Sequence, residues 1–299
     1  MRRAAACAGL LTLAALAGGC GSTTAAPAGG SSIVPASVPA YIAIDSDPGS
    51  PQWQTVDDLA SRFPDKQKGV DEIRSSLRND AGLDFEKDVK PALGPEIDVV
   101  WLDFAADGAD VVALMQPADQ GAFERLVAKG NAKDPSSKLL YESVDGWEVM
   151  SDRQSTIDKF KALVTPNGPV LADDPAFSQA MSEYSDDALV KAYVSGRAVM
   201  NEVRANLPPD ATKLVDKIGS LDWVAASVRA SSDGVRVDTT VRGEPGSLLR
   251  SQSKATKGSS FEPSLANDIP GDALAYLAFH GADGAVAGVK GNPALASPF

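Results

Sequence analysis

Residues 223–241, WVAASVRASSDGVRVDTTV, decide the fold class of this 299-residue chain. Beyond Asp233-Gly234, Val235, Val237, Thr239 and Val241 alternate with Arg236, Asp238, Thr240 and Arg242. A period of two predicts a strand with one buried and one wet face. Asp-Gly tolerates the positive φ angles of a type I′ turn, so the stretch predicts an antiparallel hairpin. Three further Asp-Gly pairs, at 107–108, 145–146 and 283–284, also separate apolar runs. Residues 97–104 with 110–115, and 139–144 with 147–151, are the expected hairpins around the first two.

Helix start signals fall between these hairpins. Thr55 with Asp58 has the form of a capping box, Asp119 and Ser155 stand before apolar-periodic runs, and Asp174 is followed by Pro175. Strands, helix, strands, helix along the chain predict the α+β class: an antiparallel sheet built from Asp-Gly hairpins with helices packed on one face. Residues 34–45, VPASVPAYIAID, and 269–280, IPGDALAYLAFH, share Pro, Ala-Tyr, an aliphatic residue and Ala at equal offsets. The second copy, within residues 266–299, is expected to be the start of a second repeat or a strand that closes the first sheet. The main module is then 34–265.

These two segments, together with DFEKDVKPALGPEIDVV at 84–100, LADDPAFSQAM at 171–181 and AYVSG at 192–196, resemble domain of unknown function 3352, a family of uncharacterised bacterial envelope proteins. The resemblance covers most of the chain after residue 33. It departs at Ala92, where the family typically has Trp. Members of that family carry an export signal or anchor and are often longer, which implies a shortened two-module protein. The family has no established activity or site residue to carry over.

The N-terminus carries the clearest functional signal. Arg2 and Arg3 precede an apolar run from Ala4 to Leu16, and Ala17-Gly18-Gly19 stand directly before Cys20. Thirteen apolar residues are fewer than the ~20 that cross a bilayer as a helix. The pattern reads as a bacterial lipoprotein signal peptide, residues 1–19, with Cys20 as the lipidated first residue of the mature chain. Residues 20–33, rich in Gly, Ser, Thr and Ala, read as a flexible tether with a span of about 20 Å. Two or three acyl chains, at roughly 0.8 kcal/mol per buried CH₂, would hold the body at the membrane.

Loss of Arg2 and Arg3 takes the 28 basic residues to 26 against 40 acidic ones, a net charge of −14. Such a body repels phosphate backbones and anionic headgroups, so nucleic acid is an unfavoured partner and the acyl group must do the anchoring. Cys7 leaves with the signal and Cys20 is acylated. No thiol remains for a disulfide, a nucleophile or a thiolate metal site.

Catalytic motifs are weak. His280 is the one histidine, at the end of an expected strand, which removes His-based triads and metal sites. Ser251 and Lys254 fit S-x-x-K but lack its companion motifs and stand in a polar linker. Asp45, Asp47 and Gly49 echo a calcium loop, yet Pro48 interrupts it and no twelfth-position Glu follows. Trp101, Trp147 and Trp223 fall on expected strands and read as core, with Trp53 the better candidate for an exposed platform. The sequence thus predicts no enzyme, cofactor or metal. It predicts a membrane-anchored, extracytoplasmic binding or structural module whose envelope partner is unknown. The alternative is a lipid or hydrophobic-ligand carrier, with room beneath Ala225, Ala226 and Ala230.

Overall fold

The computed structural model describes residues 29–104, 108–206, 208 and 220–243. The strands are β1 (Ala40–Asp45), β2 (Glu96–Trp101), β3 (Val111–Met115), β4 (Leu140–Val144), β5 (Trp147–Ser151), β6 (Val190–Ser195), β7 (Leu221–Ser231) and β8 (Gly234–Gly243). They form one eight-stranded sheet in the order β4-β5-β3-β2-β1-β6-β7-β8, every neighbouring pair antiparallel. The helices are α1 (Pro51–Ala60), α2 (Lys66–Ser76), α3 (Gln120–Lys133), α4 (Gln154–Leu163), α5 (Pro175–Ser182) and α6 (Gly196–Asn206). The class is α+β.

Helices α4 and α5 pack on one face. Strand residues of one parity, Tyr41, Val100, Val112, Leu114, Val149 and Trp223, meet Phe160 of α4 and Phe177 and Ala180 of α5. The opposite face is covered as well: Ile97, Ala113, Met115 and Met150 meet Phe123 and Val127 of α3. Burial on both faces explains why EIDVVW, VVALM and WEVMS are near-continuous apolar runs without a period of two.

Local chemistry sets the helix starts. Asp119 accepts the Ala122 amide at 2.9 Å, and Asp174 accepts those of Ala176 and Phe177, with Pro175 already at a helical φ. Helix α1 starts earlier than Thr55 suggests. Ser50 caps it, Pro51 opens it, and the Thr55 hydroxyl bonds back to the Pro51 carbonyl. Helix α4 has Arg153 rather than Ser155 at its N-cap, without a side-chain cap.

The turns differ too. Between β4 and β5, Asp145 and Gly146 take φ of 49° and 83°. Between β7 and β8 the register pairs Ser231 with Gly234, so the turn residues are Ser232 and Asp233, one position before the Asp-Gly pair. Asp107 and the 283–284 pair lie outside the described residues, as does the second copy of the repeat.

Strand β8 contains the main departure from its pattern. Val235, Val237 and Val241, on the face expected to be buried, are 61%, 65% and 51% exposed, while Asp238, Thr240 and Arg242 on the other face are half-buried. The reason is position. Among the described residues strand β8 is the sheet edge, and helix α5 lies beneath the Trp223 side of β7, where the Tyr184 hydroxyl just after the helix donates to the Ala225 carbonyl at 2.8 Å. Across the sheet, α1 reaches only the end of β7, where Trp53 packs on Ala230.

Candidate functional site

The least conventional residue of the core is Asp98. It is fully buried in the middle of β2, on the same face as Val100. Its Oδ1 accepts the Tyr41 hydroxyl at 2.7 Å, and its Oδ2 has no partner. Glu96 stands two residues earlier on the same face, and its Oε1 accepts the Gly30 amide at 3.1 Å. Burial, then the neighbouring Glu96 charge, hold the Asp98 carboxyl well above the ordinary carboxylate range. Burial and the Asp98 charge push the Tyr41 phenol up in turn.

Residues 30–32 form a single 3₁₀ turn that lies over this acid pair. Of the segment expected to be a tether, residues 20–33, the described part starts at Gly29, and there Gly30 is buried with its amide on Glu96 of the sheet. A Cβ on Gly30 would come within 1.9 Å of Asp98 Oδ2, so the close approach requires glycine. The following residues are held by Val34 and Val38 in the core and by the Leu171 amide bonding the Val34 carbonyl at 2.7 Å.

Tyr41 also begins an aromatic ladder. Phe177 stands edge-on to Tyr41 at 5.5 Å and to Tyr193 at 5.2 Å, so one helical ring bridges β1 and β6. Burial pushes the Tyr193 phenol up to about 12. These rings are packing groups. None faces an open cleft.

Two clefts of about 600 and 590 Å³ are both open to solvent. The first is lined by Ser32, Ile33, Val144, Lys161, Val164 and Val170, and the second by polar residues of α2 and Asn79 just after it. Neither encloses an apolar chamber. Ala225 belongs to the aromatic core and Ala230 lies against Trp53, so large neighbours fill the room beside both.

The exposed face of the terminal hairpin is the other candidate. Val235, Val237 and Val241 share a face with the half-buried Val224, Ala226 and Val228 of β7 and Val194 of β6. Arg236 and Asp238 pair on the opposite face at 2.8 Å. Strand β8 is therefore mainly aliphatic on one side and polar on the other.

The candidates from sequence fare unevenly. Cys20, Ser251, Lys254 and His280 lie outside the described residues. Asp45 and Asp47 accept main-chain amides of Asp47 and Gly49 at 3.0 and 2.8 Å, and Asp45 also accepts the Ser50 hydroxyl. That is turn chemistry. Burial raises the Asp45 carboxyl to about 6. Trp53 is buried, not a platform: its indole N–H donates to the Asp45 carbonyl at 2.8 Å. Among the described residues no group of acids, histidines or cysteines is placed to hold a metal ion. No helix among them is long and apolar enough to cross a membrane.

An ionic cluster at the β2–β3 loop is structural. Lys159 binds Asp103 and, at 2.7 Å, Asp110, which Arg153 also reaches at 3.0 Å. The Lys159 hydrogen bond is the main cause that lowers the Asp110 carboxyl. These groups are partly exposed, and each pair contributes about 1 kcal/mol or less.

No family model matches the sequence, and no curated protein is similar to it. Among solved structures the chain is similar to one titled "Structure of crystal form I of TP0453", with 10% identity and a TM-score of 0.35 over 77% of this chain and 85% of that one.

Proposed function

We propose that this chain is a lipid-anchored, extracytoplasmic module that binds acyl-chain lipid on the open aliphatic face of its terminal hairpin and performs no catalysis. The observation that carries the reading is the row Val235, Val237 and Val241, each more than half exposed on a strand whose ionic side is the better covered one. A soluble surface places single apolar residues outside, but an aligned row next to half-buried valines marks an interaction site. The acidic body disfavours anionic headgroups, so the ligand class is neutral or zwitterionic lipid. In this reading residues 1–19 are removed and Cys20 is acylated. The sequence resemblance to domain of unknown function 3352 belongs to the same reading.

Two measurements test it. Cys20→Ala is expected to move the protein from the membrane pellet to the soluble fraction of its native cells, and an unchanged pellet rules out the anchor. The second uses Cys20→Ala protein with phosphatidylcholine vesicles. Each valine, covered by lipid, contributes about 1 kcal/mol, so the V235S/V237S/V241S variant is expected to bind roughly a hundredfold more weakly. Equal binding by both forms, or none by either, sinks the lipid face. Concentration-dependent dimers abolished by the same serines would instead identify a second copy as its occupant.

A further inference from the structure

The network of Asp98, Glu96 and the N-terminal turn has a property that packing alone does not require. We infer that one proton shared between Asp98 and Glu96 fastens the Gly30–Ser32 turn to the sheet, and that loss of this proton frees the turn while the sheet stays intact.

The geometry supplies the parts. Asp98 Oδ1 is satisfied by Tyr41, and Oδ2 is buried and unbonded beside Gly30. A buried carboxylate oxygen without a donor is costly, whereas a carboxylic acid there becomes the donor itself. Glu96 stands two residues away on the same strand face, with Gly30 against both carboxyls, and its proximity acts in the direction that retains the Asp98 proton. Glu96 then receives the Asp98 O–H and the Gly30 N–H together. Main-chain amides of the turn complete the set: that of Gly30 also faces Asp98, and that of Ser31 faces the Tyr41 oxygen.

The charges around the pair all have one sign. Glu96 lies on the same strand, and Tyr41 and Asp45 are on β1, where Asp45 is the cross-strand partner of Glu96. Strand β3 contributes Leu114 opposite Asp98, the neighbouring turn contributes glycines and serines, and Trp147 of β5 packs beside Gly30. None of the ion pairs found among the described residues includes Asp45, Glu96 or Asp98. Once the proton passes to water, two adjacent carboxylates repel with no cation to offset them. Glu96, which is half-buried, has the shorter way to solvent, and its departure removes the Gly30 anchor. Val34 and Val38 keep the following segment docked, so release is confined to the turn. Ser32 and Ile33 line the 600 Å³ cleft, which the freed turn would widen.

The sign follows from the direction of the shift. Asp98 is harder to ionise folded than unfolded, so its contribution is fully present at low pH and is lost as pH rises through its folded value. Hydrogen exchange on the full chain from about pH 5 to about pH 9, corrected for the intrinsic pH dependence of exchange, reads the turn directly. In wild type the protection of the Gly30, Ile33 and Val34 amides is expected to fall roughly tenfold or more across this range, with β1 and β2 amides unchanged. Asp98→Asn keeps an N–H donor toward Glu96 at every pH, and its turn should stay protected throughout. Glu96→Gln is the second variant, expected to be flat for the same reason. A flat wild-type profile, a parallel loss in Asp98→Asn, or loss of β2 protection together with the turn would each overturn the proposal.

Discussion

Phe177→Ala is expected to lower the free energy of unfolding by about 4 kcal/mol, the usual cost of emptying a buried aromatic site. Phe177 is 6% exposed and is the only ring in contact with both Tyr41 and Tyr193 in the ladder. Its loss leaves a cavity between α5 and the centre of the sheet, and the flanking tyrosines cannot close it without giving up their places. The Tyr41 hydroxyl is bound to Asp98 and the two strands are locked in register across Tyr41 and Tyr193. A domain is typically stable by 5–15 kcal/mol, so the variant should unfold at a much lower urea concentration. Phe63→Ala is the control: Phe63 is 63% exposed, and its removal should shift the midpoint little. Equal shifts for the two variants would mean that the ladder does not hold α5 to the sheet.

Gly94→Ala is expected to cost about 3 kcal/mol, through overpacking rather than a cavity. Gly94 sits just ahead of β2, where a Cβ would lie 1.9 Å from the Gln116 carbonyl oxygen and 2.9 Å from its carbon. Both are main-chain atoms following β3, so no rotamer relieves the clash. The Gly94 carbonyl also accepts the buried Ser46 hydroxyl at 2.8 Å, which ties this point to the end of β1. Separating β2 from β3 there disturbs the most enclosed part of the sheet. Gly130→Ala is the comparison, since a Cβ there meets nothing and favours the helix. Urea midpoints that do not separate the two glycines would refute the close approach as the cause.

Legibility of the fold depended on whether a signal was local. Asp119 and Asp174 could be identified as helix starts because a cap and its amides lie within three residues. Burial was less legible. Alternation in residues 235–241 marks two different faces, but only the placement of β8 at the edge decides which is covered, and that comes from the whole sheet order. The acid network has one local sequence signal, an aspartate inside the apolar run of residues 97–102. A carboxylate there is rarely buried without a partner. The partners themselves, Tyr41 and the turn at Gly30, are 57 and more residues away in sequence and meet it only through sheet pairing.

Contact of the turn at Gly30 with the sheet also sets an upper limit on altitude. Eight residues lie between the preceding Gly29 and Cys20, and even a fully stretched chain over those nine Cα–Cα steps covers only about 30 Å. With an acyl group on Cys20, as proposed, the folded body would be confined to a thin shell above the bilayer. Its aliphatic face would then meet lipid at a local concentration far above that of a freely diffusing protein, so even a modest intrinsic affinity for a neutral lipid would suffice for occupancy.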